Sequence, residues 1–156
     1  MLRVWRGGIS ILWKPKLVDL SDWQSSSFSL MEDFKILDAS MTGTIANIYG
    51  PSAFPQKQDF IHHLQWVDSL AKEGRWIVGG DFNLITTLRE NKGGRRVLEK
   101  YQEEFREILA QSSLVDLETR DVWFTWNNRR GGDHLVASRL DRFLVSKDIT
   151  RGSGEI

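Results

Sequence analysis

The chain has 156 residues, 40% of them hydrophobic and 27% charged, which is ordinary for a globular protein and enough for one domain with a sizeable core. Lys plus Arg and Asp plus Glu both number 21, so the formal net charge is zero. That excludes the overall basic pull of a typical nucleic-acid-binding module, and the absence of cysteine excludes disulfides, thiolate zinc sites and cysteine nucleophiles.

From the N-terminus, Met1 to Arg6 interrupts its apolar residues with arginines and lacks a signal-peptide core, which reads as intracellular. No apolar run approaches the roughly 18 residues of a membrane span. After Gly7-Gly8, the run Ile9 to Trp13 reads as a buried strand stopped by Pro15. Phe34 to Ala39 and Thr44 to Tyr49 read as two more strands, with Thr42-Gly43 as the turn between them and Gly50-Pro51 ending the second. Phe60, Leu64, Val67 and Ala71 recur at helical spacing, with Ile61 and Leu70 widening the stripe; Pro55 suits a first turn and Gly74 a stop.

Arg75 to Val78 follows as an apolar strand running into Gly79-Gly80-Asp81, and Leu84 to Leu88 is ambiguous. A second helix is expected from about Arg96 to Gln111, with Val97, Tyr101, Phe105 and Ile108 on its apolar face. Trp123-Phe124-Thr125-Trp126 is an aromatic segment, Asn127 to Gly132 a polar loop, and Ser138 to Val145 a late strand. The tail from Arg151 to Ile156 has no packing pattern and is expected to fray. The seven tryptophans (Trp5, Trp13, Trp23, Trp66, Trp76, Trp123 and Trp126) show no repeat period and are expected mostly in the core or a groove wall. There is no composition break, so residues 1–156 read as a single α/β domain of layered type.

Three segments carry candidate chemistry. In Gly79-Gly80-Asp81-Phe82-Asn83, a carboxylate and a carboxamide two residues apart at a strand end can face one cleft: Asp81 to hold Mg²⁺ or position a water, Asn83 to donate to a phosphate oxygen. The same residue types dominate turns, so from this segment alone a plain turn is the competing reading and the favoured one. Tyr49, at the strand end before Gly50-Pro51, can offer its hydroxyl to a phosphate or be a half-buried core tyrosine. Asp141 can orient a histidine, or belong with Arg139 and Arg142 to a charged strand face.

Taken together and in order, Gly7-Gly8-Ile9, Ile48-Tyr49-Gly50-Pro51, Gly79 to Asn83, Phe124-Thr125-Trp126 and Ser138-Arg139-Leu140-Asp141-Arg142 resemble the DNase-I-like endonuclease/exonuclease/phosphatase family. The flavour is that of the endonuclease domains of plant LINE-type (non-LTR) retroelements, and the resemblance covers about Gly7 to Ser146. It implies a four-layer α/β sandwich, two sheets packed between helices, and a Mg²⁺-assisted water attacking a phosphodiester of nucleic acid, DNA first. By the same resemblance Asp81 orients or activates the water, Asn83 and Tyr49 contact the phosphate, and Asp141 pairs with a catalytic histidine. Thr125, Trp126, Arg129 and Arg130 would then lie near the nucleic-acid groove. The metal ligands are left open, with Asp81 and Asp141 as candidates.

The match has gaps. The family's early Asn and its metal-binding Glu have no counterpart here; Glu32 is the first glutamate and falls after the Gly-Gly-Ile motif. The family's Ser-Asp-His is also missing. His62 and His63 sit side by side on the first helix and read as solvent-exposed, while His134 matches no motif. The domain is therefore expected to be truncated at both ends of its site, incomplete in fold, and weak or inactive. The basic clusters Lys92 to Arg96 and Arg129-Arg130 keep open a non-catalytic, nucleic-acid-binding remnant on the same scaffold. A phosphomonoesterase of the family is disfavoured by the Phe-Thr-Trp and Ser-Arg-Leu-Asp-Arg segments. No P-loop or Gly-x-Ser-x-Gly elbow occurs.

Overall fold

The computed structural model describes residues 2–4, 9–39, 41–94, 97–118 and 122–151. Gly7-Gly8, Trp5, Arg95-Arg96 and the tail beyond Arg151 lie outside them. In chain order the elements are β1 (Leu2–Val4), β2 (Ser10–Leu12), β3 (Val18–Ser25), β4 (Ser29–Ile36), β5 (Thr42–Tyr49) and α1 (Lys57–Ala71). They continue with β6 (Trp76–Asp81), β7 (Asn91–Lys92), α2 (Lys100–Gln111), β8 (Leu114–Asp116), β9 (Trp126–Asn127), β10 (Ala137–Ser138), β11 (Asp141–Ser146) and α3 (Lys147–Arg151). The main sheet has six strands in the order β3-β4-β5-β6-β11-β8, while β1 pairs with β2 and β7-β10-β9 form a small third sheet. Only the β5–β6 pair in the main sheet is parallel, and α1 is the crossover that makes it so.

Alternation along the strands sorts the sheet into two faces. Ala46 and Ile48 of β5, Trp76 and Val78 of β6 and Leu144 of β11 project to one face, where they meet Phe60, Ile61, Leu64, Val67 and Ala71 of α1 and Phe105 of α2. That face holds the main core, and the stripe expected of the first helix is the one that packs. Leu70, at its margin, stays 38% exposed. Leu20, Leu30 and Ile45 project to the other face and pack under Ile9 and Ile11 of the β1–β2 ribbon. The α/β architecture expected from the sequence is therefore present, with helices on one face and a second β layer beginning on the other.

Several local expectations are corrected. Thr42-Gly43 is not the turn: both residues lie within β5, and the turn falls at 37–39. Gly43 is glycine because neighbours crowd it. A Cβ there would lie 2.4 Å from the Arg75 carbonyl oxygen and 2.9 Å from the Phe34 ring. The second helix begins at Lys100, later than expected, where the Gln102 side chain accepts the Glu99 N–H at 2.9 Å, and Val97 is left 58% exposed. The late strand is two strands, β10 and β11, in two different sheets. Of the six tryptophans described, only Trp76 is buried, and Trp23, Trp66, Trp123 and Trp126 are exposed. Among the described residues, no helix is long and apolar enough to cross a membrane.

Candidate active site

The ends of three adjacent strands place the candidate residues in one row. Tyr49 on β5 is the register partner of Asp81 on β6, and Asp81 is in turn the partner of Asp141 on β11. Register partners on neighbouring strands project to the same side of a sheet, so all three side chains share the face opposite α1 and α2. Asn47, Gly79 and Phe143 form the next row down. They border a hollow of about 390 Å³ on that face, which extends to Ser10 and Ile77. The Asn47 side chain donates to the Ser10 carbonyl at 2.8 Å and so ties β2 to this surface.

Asn83 joins the row through a tight local structure. Its backbone is left-handed, at φ 50°, and its N–H donates to Asp81 Oδ1 at 2.9 Å. Its Nδ2 donates to the Gly50 carbonyl at 2.7 Å, and the Gly50 N–H returns to the Asp81 carbonyl at 2.7 Å. The segment is therefore a tight turn, and the turn is what aims Asp81. Gly50 admits no side chain here: a Cβ would lie 2.2 Å from the Phe82 carbonyl oxygen. Phe82 itself is buried on the opposite side, stacked on Phe105 of α2 with ring centroids 5.3 Å apart.

Burial raises the Asp81 carboxyl above its ordinary range; the Asn83 N–H works against that, and the charge of Asp141 adds to it. Asp141 is exposed, and its N–H and that of Leu140 both donate to Thr125 Oγ1 at 3.0 Å. Next to Thr125, Trp126 is 47% exposed on β9, and Arg129 and Arg130 are exposed on the turn beyond it. The Arg129 N–H donates to Asn127 Oδ1, and the Arg130 N–H to Asn128 Oδ1. The structure thus brings together Tyr49, Asp81, Asn83, Asp141 and Thr125, with Trp126 adjoining.

The histidines lie elsewhere. His63 is not solvent-exposed as expected. It lies between the rings of Phe28 and Trp66, with Nε2 at 2.9 Å from Ser29 Oγ, and burial lowers its pKa. His62 is exposed, and His134 sits in a short 3₁₀ turn. Glu32 is fully buried in β4. Among the described residues, no group of three or more His, Asp or Glu is arranged to hold a metal ion.

The largest departure from expectation concerns the arginines flanking Asp141. Arg139 and Arg142 do not form an exposed charged face; they are only 3% and 2% exposed. Both donate to Glu90 Oε1, at 3.0 and 2.9 Å, and both reach Asp116, at 2.7 to 3.0 Å. The Arg142 guanidinium also bonds Glu90 Oε2, which accepts the Thr86 N–H and hydroxyl too. Two carboxylates and two guanidiniums thus join the loop after Asn83 to the strand of Asp141 from the helix side. Glu90 carried no sequence signal of its own; a signal lay only in two arginines bracketing a site aspartate.

The family model that matches the chain, over residues 2–156, is the endonuclease/exonuclease/phosphatase family. The chain belongs to this family. No curated protein sequence matches it. Among solved structures it is similar in fold to the endonuclease domain of TRAS1, a telomere-specific non-LTR retrotransposon. That match has 17% identity and a TM-score of 0.67, and it covers 97% of this chain and 68% of that one. Zebrafish (D. rerio) TDP2, complexed with a single-strand DNA product, matches at 15% identity and TM-score 0.59 over 88% of this chain and 56% of its own. A Bacteroides thetaiotaomicron mannosyl-6-phosphatase matches at 13% and 0.56, over 88% and 56%. The chain thus spans between about half and two thirds of these family structures.

Proposed function

We propose that the chain is an endonuclease-like phosphodiester hydrolase domain, dependent on Mg²⁺ and acting on nucleic acid, DNA in the first place. The observation that carries this reading is the single row Tyr49, Asp81, Asp141, with Asn83 locked beside it. Asp81, at the strand end with its carboxylate held by the Asn83 N–H, is placed to orient the attacking water. Asn83 spends one amide hydrogen on Gly50 and keeps another to donate to a phosphate oxygen. The half-exposed Tyr49 hydroxyl is placed for the same task from the next strand. Trp126, Arg129 and Arg130 would meet the nucleic acid beside the row, by stacking and by phosphate contact.

The facing carboxylates fit a divalent ion, since their mutual repulsion is what a cation between them would relieve. Asp81 and Asp141 would hold Mg²⁺, a hard cation that commonly takes one or two carboxylates and completes its shell with water and phosphate. When bound, such an ion neutralises charge on the phosphodiester. Two carboxylates alone hold it weakly, and among the described residues neither a third carboxylate nor a histidine joins the row. Members of a catalytic set act as a unit, so a low rate follows for this chain by itself. The same observation favours the second reading, a nucleic-acid-binding module on the family scaffold without the chemistry.

The deciding experiment is nicking of supercoiled plasmid with Mg²⁺ or with EDTA, run beside Asp81→Ala. Cleavage that requires both Mg²⁺ and Asp81 supports the hydrolase. Salt-sensitive DNA binding by the folded protein without cleavage rejects it in favour of the binding module.

A further inference from the structure

Between Ser138 and Asp141 the chain leaves the small sheet of β10 and enters the main sheet as β11. At such a crossing, backbone N–H groups lose the ladder that would satisfy them. Thr125 supplies the missing partner. Its N–H donates to the Ser138 carbonyl at 3.0 Å, and its Oγ1 accepts the N–H groups of both Leu140 and Asp141 at 3.0 Å. The Leu140 carbonyl is held in turn by the Phe82 N–H, at 2.9 Å, from the segment between Asp81 and Asn83.

Resting on the reading of Asp81 and Asp141 as the reacting-site carboxylates, we propose that Thr125 is a positioning residue that holds Asp141 against Asp81. A hydroxyl oxygen has two acceptor sites, and here both are filled by the two N–H groups. Those bonds fix the two successive peptides on either side of Leu140, and with them the direction of the Asp141 side chain. From the opposite face, Arg139 and Arg142 are fixed on Glu90 and Asp116. Two carboxylates in one register row repel each other, and the segment bearing the exposed one would relax away unless anchored. Thr125 provides that anchor at the point where the sheet does not.

The test compares the full chain with Thr125→Val, which keeps the shape and loses the acceptor, and Thr125→Ser, which keeps the acceptor. In Thr125→Val the amides of Leu140 and Asp141 should exchange with solvent about tenfold faster, the scale of one lost hydrogen bond. Its kcat for Mg²⁺-dependent nicking should fall on the order of 10- to 100-fold, as expected for a misplaced reacting group, with KM for the plasmid unchanged. Thr125→Ser should restore both readouts. Val and parent cleaving alike, or a raised KM with an unchanged kcat, would overturn the proposal, the latter in favour of a direct nucleic-acid contact. Should the parent itself fail to nick, the proposed function falls on its own, and the exchange rates still decide: unchanged protection of both amides rejects the positioning role.

Discussion

Glu90 is the buried carboxylate on which Thr86, Arg139 and Arg142 converge, and its energetics set the behaviour of the site in acid. Burial pushes its carboxyl up, but the hydrogen bond and charge of Arg142 and the N–H and hydroxyl of Thr86 outweigh that, bringing it from 4.5 down to about 2. A depressed carboxyl contributes stability that is fully present above its unfolded pKa and is lost as pH falls through the folded one. The contribution, on the order of 3 kcal/mol, should therefore disappear between about pH 4.5 and 2. Glu90→Gln should lose about 3–5 kcal/mol at pH 7, because two guanidiniums stay buried with one carboxylate between them. Urea unfolding across pH 7 to 2 checks this, since the gap between parent and variant must shrink as acid is added. A gap independent of pH would mean that Glu90 is not ionised in the folded protein. Gly50 offers a steric counterpart. Gly50→Ala would force the end of β5 off the Phe82 carbonyl, at a cost of about 1–3 kcal/mol by the same measurement.

At the scale of elements, α2 reaches the site through one stacked pair. Phe105 is 1% exposed, lies against Phe82 and has the Arg142 guanidinium 5.5 Å above its ring. Phe82 sits between Asp81 and Asn83, so the helix buttresses the turn that aims both. Phe105→Ala should cost about 3–5 kcal/mol, while Phe105→Leu should lose much less, with thermal unfolding as the readout. Equal losses would mean that the ring itself, through its stack on Phe82 and the guanidinium above it, carries the contact rather than buried volume. That buttress was legible in advance as a helical stripe, as were α1, β5 and β6, because local apolar periodicity is the signal such elements emit. The edge strand β3 emitted none: most of Val18–Ser25 is exposed, so no alternation marks it. Glu90 lies 49 and 52 residues from its arginine partners, and no local pattern can announce a pairing made across the fold. Likewise, Thr125 looked like part of an aromatic groove wall until the crossing from β10 to β11 showed two N–H groups that needed its oxygen.

For the whole molecule, charge and exposed surface act together. The sequence pI is about 6.8, so near neutral pH no net repulsion keeps copies apart. On the face opposite the helices, Leu12 is 71% and Phe143 58% exposed at the rim of the hollow beside the site. Two large apolar side chains exposed at one rim favour association there. The edge strand β3 is less inviting as a docking template, since a register shift between Ser21 and Gln24 breaks its ladder and Asp19 and Asp22 charge it. Self-association should therefore run through the face, peak near pH 7 and weaken at about pH 5, where proton uptake gives the chain a net positive charge. Sedimentation velocity over a concentration series at both pH values tests the charge term. The double substitution Leu12→Ser with Phe143→Ser tests the surface, and should abolish the rise in mass at pH 7 for under about 1 kcal/mol of stability. Association that survives the double substitution would point to the strand edges, and the apolar rim would then have no part in bringing copies together.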